Sequence, residues 1–188
     1  MLKKYIYTDL IDVLSCKGTI LYPTDTVWGI GCNATDTEAV SKIFNIKQRN
    51  ESKSLVILVD GLEMLKHYVE EIPEKAIKIL KNKIKPTTII YNNPLGLAKN
   101  VVASDNTIAI RIVQDEFCQE LIRQFGKPIV STSANVSGKS TPKSFKEIDA
   151  SILNAVDYVV NLHQGIITNT PSRIIKFDED GLVKVIRD

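Results

Sequence analysis

Sulfur and imidazole are scarce in this sequence, which holds three cysteines and two histidines in 188 residues. Cys16, Cys32 and Cys118 are far apart, odd in number and without a C-x-x-C pair. That pattern predicts reduced thiols in a cytosolic protein rather than a disulfide framework. His67 and His163 stand at no metal-binding spacing from a cysteine or from each other, which argues against a zinc site supplied by the protein. No Ser-His-Asp or Cys-His arrangement is visible and the carboxylates make no evident catalytic pair, so covalent catalysis has no candidate nucleophile. No apolar run approaches the roughly 20 residues needed to span a bilayer. Asp9 and Asp12 interrupt the stretch after the first lysines, against a signal peptide. A cytoplasmic protein with no membrane contact is expected. An excess of one charge is missing too: 24 Lys and Arg face 22 Asp and Glu, for a net charge of +2, so nothing global demands a nucleic-acid partner. There are no repeats, low-complexity tracts or Pro/Gly/Ser linkers. With 44% hydrophobic residues, the chain suits one domain over residues 1–188 with a sizeable core.

What is present alternates between strand-like and helical runs, which means α/β. A helix is predicted over 8–17 with Gly18 as its stop, then a strand at 19–22. Thr35 and Glu38 have the spacing of a capping box, followed by Ala39, Val40, Ile43 and Phe44 on one apolar face. Apolar runs at 54–59, 87–91 and 107–113 are expected at the sheet centre. Between them a helix would turn Ile77, Leu80 and Ile84 inward and Lys75, Lys78, Lys81 and Lys85 outward. Such a stripe fits a solvated face better than a phosphate track. A helix at 114–125 stops at Gly126, a strand runs through PIVSTSA, and Ser144 and Glu147 suggest a second capping box. SRIIKF and LVKVIR flank DEDG as a hairpin at a sheet edge.

The chemistry-bearing residues fall in four segments. STSANVSGKS comes within one residue of a P-loop, but Ser133 replaces the first glycine and Thr141-Pro142 follow where a helix should open. GIGCNA imitates a dinucleotide fingerprint without the direct turn from strand to helix, so tight-turn glycines beside Trp28 explain it as well. PTDT at 23–26, KQRNESK at 47–53, TIAIR at 107–111 and STSAN at 131–135 bring hydroxyls and isolated basic residues to strand ends, where α/β sheets bind ligands. Hydroxyls donate and accept, and an arginine fork grips carboxylate or phosphate, so the set looks anion-binding. Arg111 interrupts the alternation of Ile108, Ile110 and Ile112. It is either a buried charge that needs a partner or an arginine on the solvent side of a half-exposed strand.

The ordered set LYPTDTVWGIG, KQRNESKSL, PTTII, TIAIRI, STSANVSG and PSRII closely resembles the YrdC/TsaC family of threonylcarbamoyl-AMP synthases over nearly the whole chain. The resemblance implies a twisted mixed open sheet flanked by helices around a large central cavity. It also implies a nucleotidyltransferase that makes threonylcarbamoyl-AMP and pyrophosphate from L-threonine, bicarbonate and Mg-ATP for the t6A modification of tRNA. By motif position, Thr26, Arg111, Ser131 and Ser172 would hold threonine, with Arg111 on its carboxylate. Lys47, Arg49, Lys53, Thr107, Ser133, Asn135, Thr141 and Arg187 would surround ATP, with Lys47 and Arg49 nearest the phosphates. Mg2+ would come with ATP and not on protein ligands, and catalysis would be positioning and electrostatics. The implied partners are a downstream threonylcarbamoyl transferase and, by direct contact, tRNA or another RNA. The chain departs from the family pattern at KIKPTTII, which lacks a Pro-Gly, at Leu58, where a histidine is frequent, and at PSRII, where Arg173 follows Ser172. It also lacks the extra C-terminal domain of longer relatives, so a lid would come from its own loops or termini. The rival function class is a double-stranded-RNA or ribosome-maturation factor that contacts phosphates through the lysine stripe. A third is a carbamoyl-transfer module of hydrogenase maturation, which would bring zinc-finger cysteines that this chain lacks.

Overall fold

A computed structural model of the chain describes residues 2–50, 55–82, 84–165, 167, 170–178 and 180–188. The strands are β1 (Ile20–Tyr22), β2 (Gly29–Gly31), β3 (Val56–Val59), β4 (Thr87–Asn92), β5 (Thr107–Ile112), β6 (Ile129–Ser133), β7 (Tyr158–Val159), β8 (Arg173–Phe177) and β9 (Val183–Arg187). They form one mixed sheet in the order β7-β1-β2-β6-β3-β5-β4-β8-β9. β3 and β5, β4 and β8, and β1 and β7 run parallel; the other neighbours are antiparallel. The three apolar runs expected at the centre lie side by side as β3, β5 and β4, and the hairpin β8–β9 ends the sheet as expected.

Side-chain alternation splits the core into two layers. Leu21, Ile57, Val59, Ile108, Ile110 and Val130 face one layer. It is covered by α2 (Thr37–Lys47), α3 (Leu62–Tyr68) and α4 (Glu74–Lys81). Ile20, Tyr22, Leu58 and Ile129 face the other, under α1 (Leu2–Ser15) and α5 (Glu116–Phe125). α6 (Ala150–Leu153) contributes the buried Ile152 to the first layer. No helix of the described residues is long and apolar enough to cross a membrane.

Local chemistry corrects several expectations. The first helix begins earlier than 8. Lys17 takes the left-handed conformation at its end, while Gly18 is needed because a Cβ there would lie 2.7 Å from the Val13 carbonyl oxygen. Asp36, not Thr35, caps α2 by accepting from the Ala39 amide at 2.9 Å, because Asn33 holds the Thr35 hydroxyl. Ser144 and Glu147 do pair, but they close only a 3-10 turn over Phe145–Glu147 before Asp149 caps α6. Ile84 is 87% exposed because α4 ends at Lys81 and the helical phase stops there. Of the lysine stripe, Lys75 donates to the Gly181 carbonyl and Lys85 to Asp188. Both glycines of GIGCNA lie in strand β2, not in a turn. Gly31 packs so tightly that a Cβ would meet the Val130 carbonyl oxygen at 2.4 Å.

Candidate functional site

Strand register creates an open patch on the face that α1 and α5 cover only in part. Leu58 and Ile129 lie beneath those helices, but the next residues on the same face are Val56, Ser131 and Arg111. They floor a cleft of about 260 Å³, closed on its sides by Thr26, Arg49, Thr141, Ser172 and Arg187. Gly29 keeps the floor low: a Cβ there would come within 3.1 Å of the Ser131 hydroxyl. Ser131 and Ser133 thus lie within β6, not on a loop beyond it.

Arg111 organises one end. It is 4% exposed, which excludes the solvent-facing reading. Its Nη1 donates to the Thr26 hydroxyl at 3.2 Å, and Nη2 stands 3.0 Å from Asp25 Oδ1. The other Asp25 oxygen accepts from the Gln114 amide at 3.0 Å. Nε is buried with no hydrogen-bond partner among the described residues. Thr26 is fixed in turn by Thr24, whose hydroxyl accepts from the Thr26 amide and meets the Thr26 hydroxyl at 3.0 Å. The sequence reading missed Asp25 as a functional residue, though the need of a buried guanidinium for a countercharge, next to Thr26, was the available signal.

Ser172 organises the opposite wall. Its hydroxyl meets that of Thr88 at 2.8 Å, and the Arg187 guanidinium grips its carbonyl through Nη2 at 2.7 Å and Nε at 3.1 Å. This brings the C-terminal strand to the cleft. Burial lowers the guanidinium pKa of Arg187, and the charge of Arg111 lowers it further. Burial also lowers that of Arg49. Arg173, which follows Ser172, turns toward Asp188 at 3.6 Å and does not line the cleft.

Lys47 is placed differently from a phosphate contact. It is 1% exposed, donates to the carbonyl oxygens of Ser133 and Asn135, and is not among the described cleft-lining residues. Burial, helped by Arg49, pushes its ammonium down to about 8. Asn135 spends its side-chain amide on the Val136 and Lys139 carbonyls, and Thr107 donates to Asp105 at 2.7 Å. Thr107 is four residues from Arg111 along β5, about 13 Å at strand rise, and neither Thr107 nor Asn135 is among the described cleft-lining residues. Lys53 lies outside the described residues. The structure therefore gathers Thr26, Arg49, Arg111, Ser131, Ser133, Thr141, Ser172 and Arg187 into one site.

The chemistry of this lining is that of a holder. Its described side chains are guanidinium, hydroxyl and apolar, with no imidazole, thiol or carboxylate. Cys32 and Cys118 are buried in the core, and burial raises both thiol pKa values, so neither is a reactive thiolate. The near-P-loop segment makes no phosphate cradle: Gly138, Lys139 and Ser140 are exposed, no helix opens directly after them, and Lys139 pairs with Asp149. A wider hollow of about 610 Å³ lies between α1 and α5. Its one described guanidinium, Arg123, is bound to Glu120, so the smaller cleft is the better anion site.

Comparison with known proteins agrees with this geometry. Residues 12–188 match the model of the Sua5/YciO/YrdC family, described as "Telomere recombination". The threonylcarbamoyl-AMP synthase of Pseudoalteromonas translucida is 34% identical over 92% of this chain and 93% of its own. That of Idiomarina loihiensis is 32% identical over 84% of this chain and 86% of its own. Among solved structures, P. abyssi Sua5 complexed with L-threonine superimposes with a TM-score of 0.88 at 26% identity. That match covers 97% of this chain and 54% of the Sua5 chain, so the chain spans about half the length of that protein. Motif order, sheet topology and these matches over most of the sequence together establish that the chain belongs to the Sua5/YciO/YrdC family.

Proposed function

We infer that this protein is an L-threonylcarbamoyladenylate synthase, which joins L-threonine, bicarbonate and ATP into threonylcarbamoyl-AMP and pyrophosphate. The observation that carries the reading is Arg111, buried on the cleft floor with an unpartnered Nε–H and the Thr26 hydroxyl at its side, in a cleft shared with Arg49 and Arg187. One carboxylate and one polyphosphate would satisfy such a set.

In this reading Arg111 and Thr26 orient the amino acid, with Ser131 and Ser172 on its flanks. The threonine amine combines with bicarbonate to give a carbamate and water. A carbamate oxygen then attacks the α-phosphorus of ATP, the new O–P bond replaces the bond to the β-phosphate, and pyrophosphate leaves. No enzyme nucleophile is needed. The protein's contribution is alignment of the two substrates and stabilisation of charge as it moves to the leaving group. Arg49, Thr141, Ser133 and Arg187 take the nucleotide side. Lys47 acts on that side indirectly, by holding the Ser133–Asn135 backbone, and Thr107 and Asn135 act as supports of the fold around it. Magnesium enters as part of the Mg-ATP substrate. The setting is the cytoplasm, and the unstable product passes to a threonylcarbamoyl transferase acting on tRNA.

The test is pyrophosphate release from Mg-ATP with and without L-threonine and bicarbonate. Release that requires both co-substrates is expected. Folded protein that releases none in their presence would end the reading.

A further inference from the structure

Three guanidinium groups line the cleft, and two of them, Arg187 and Arg111, are held in different ways. Arg187 is gripped by neutral atoms, the carbonyl and hydroxyl oxygens of Ser172, and pairs with no carboxylate among the described residues. Arg111 carries Asp25 against Nη2 at 3.0 Å, with both side chains almost removed from water, at 4% and 10% exposed. Asp25 is itself anchored, because its second oxygen accepts from the Gln114 amide in the lead-in to α5. It therefore ties the PTDT turn, β5 and the segment before α5 to one point beneath the cleft.

This asymmetry matters because both substrates are anions. At low effective dielectric an uncompensated guanidinium attracts the most highly charged anion available, and a triphosphate outbids a monocarboxylate. A carboxylate 3.0 Å from one guanidinium weakens its long-range field. It leaves the N–H donors in place, among them the unpartnered Arg111 Nε. Such a group still recognises the directional oxygens of a carboxylate but has little net charge with which to draw phosphate.

The geometry points to Asp25 as a specificity-determining positioning residue. By pairing with Arg111 it fixes the guanidinium against Thr26 and removes the excess positive charge of that end, so that this end takes an amino-acid carboxylate and leaves phosphate to the other. Asp25 acts through Arg111 and does not touch substrate. The inference rests on the synthase reading of the cleft.

The test is calorimetric titration of L-threonine into wild type, Asp25→Asn and Asp25→Glu, each with and without excess inorganic phosphate, alongside a titration of ATP alone. In wild type, threonine binding should be indifferent to phosphate. Asp25→Asn should bind threonine about 10-fold more weakly, in keeping with a lost charge-assisted contact, and phosphate should now compete with threonine. Asp25→Glu should restore threonine binding and the indifference to phosphate, and ATP affinity should stay the same in all three, as a sign of intact folding. An Asn variant indistinguishable from wild type overturns the inference alone. So does phosphate competing strongly with threonine in wild type, a measurement that decides the matter even if the Asn variant fails to fold. Wild type that binds ATP but no threonine overturns the synthase reading and this inference with it.

Discussion

At Arg111 a buried charge and a recognition group coincide, and the two roles have separate signatures. Removing the guanidinium leaves Asp25 buried without its partner, which typically costs about 3–5 kcal/mol. Arg111→Ala should therefore melt well below wild type. It should also lose threonine-dependent pyrophosphate release by at least ~100-fold while keeping ATP affinity within ~3-fold. Threonine dependence close to wild type would remove Arg111 from the site. Lys47 offers a pH test. Its ammonium is pushed down to about 8 by burial, with Arg49 adding to the effect, while an unfolded lysine keeps its proton to about 10.4. Between those values the unfolded chain binds more protons, so this position penalises folding fully below about pH 8 and progressively less toward about pH 10.4. Compared with Lys47→Met in thermal melts from pH 7 to 10, wild type should gain stability on the variant as pH rises. A difference that stays flat would mean that the charge is not buried. Residue types and order made the cleft arginines and hydroxyls legible in the sequence. Asp25 was not singled out, because its role follows from burial 86 positions away along the chain.

The segment around Gly138 and the strand around Gly31 show how similar signals divide at the level of elements. A P-loop lysine belongs to the phosphate site, whereas Lys139 is exposed and paired with Asp149. Lys139→Ala should change the rate of pyrophosphate release by less than ~3-fold; a loss of ~100-fold or more would bring the P-loop back. Gly31 instead lies where β2 meets β1 and β6, and a methyl group would strike the Val130 carbonyl and the Tyr22 ring, at 2.4 and 2.7 Å. Overpacking of this kind costs about 1–3 kcal/mol. Gly31→Ala should lower the melting temperature accordingly, whereas a melt equal to wild type would mean that the strands spread at no cost. Helix 116–125 was legible to within two residues because its cap and its stop are local, Asp115 accepting from Cys118 and Gly126 at positive φ. Thr35 was misread as a cap because a hydroxyl's choice between Asn33 and a helix amide depends on the fold of the preceding turn.

For the molecule as a whole, the cleft couples distant parts of the chain. Thr26 belongs to the turn after β1, Arg111 to β5, Ser131 to β6 and Arg187 to β9, and Ser172 is the residue just before β8. Ligands that bridge these elements should stabilise the global fold. At about 100 times its dissociation constant one ligand contributes about 2.7 kcal/mol, which for a chain of this size raises the melting temperature by roughly 5–10 °C. L-Threonine with Mg-ATP should produce such a shift, measurable by calorimetry, and phosphate alone should not. Equal shifts from phosphate and from the substrate pair would indicate a generic anion site.

Periodicity, caps and turn residues determined the α/β class, the three central strands and the edge hairpin, because those signals act within a few residues. The ordered motifs determined the family. Tertiary structure alone decided which of those motif residues meet. Strand register set Arg111 and Ser131 on the same face of the sheet, on either side of β3, and left Thr107 four residues away from Arg111 along β5. Packing withdrew Lys47 from the cleft and bound it to two backbone carbonyls. Register and burial arise from pairings between segments up to a hundred or more residues apart, and their energies depend on what each side chain finds opposite it, a quantity no local stretch of sequence contains.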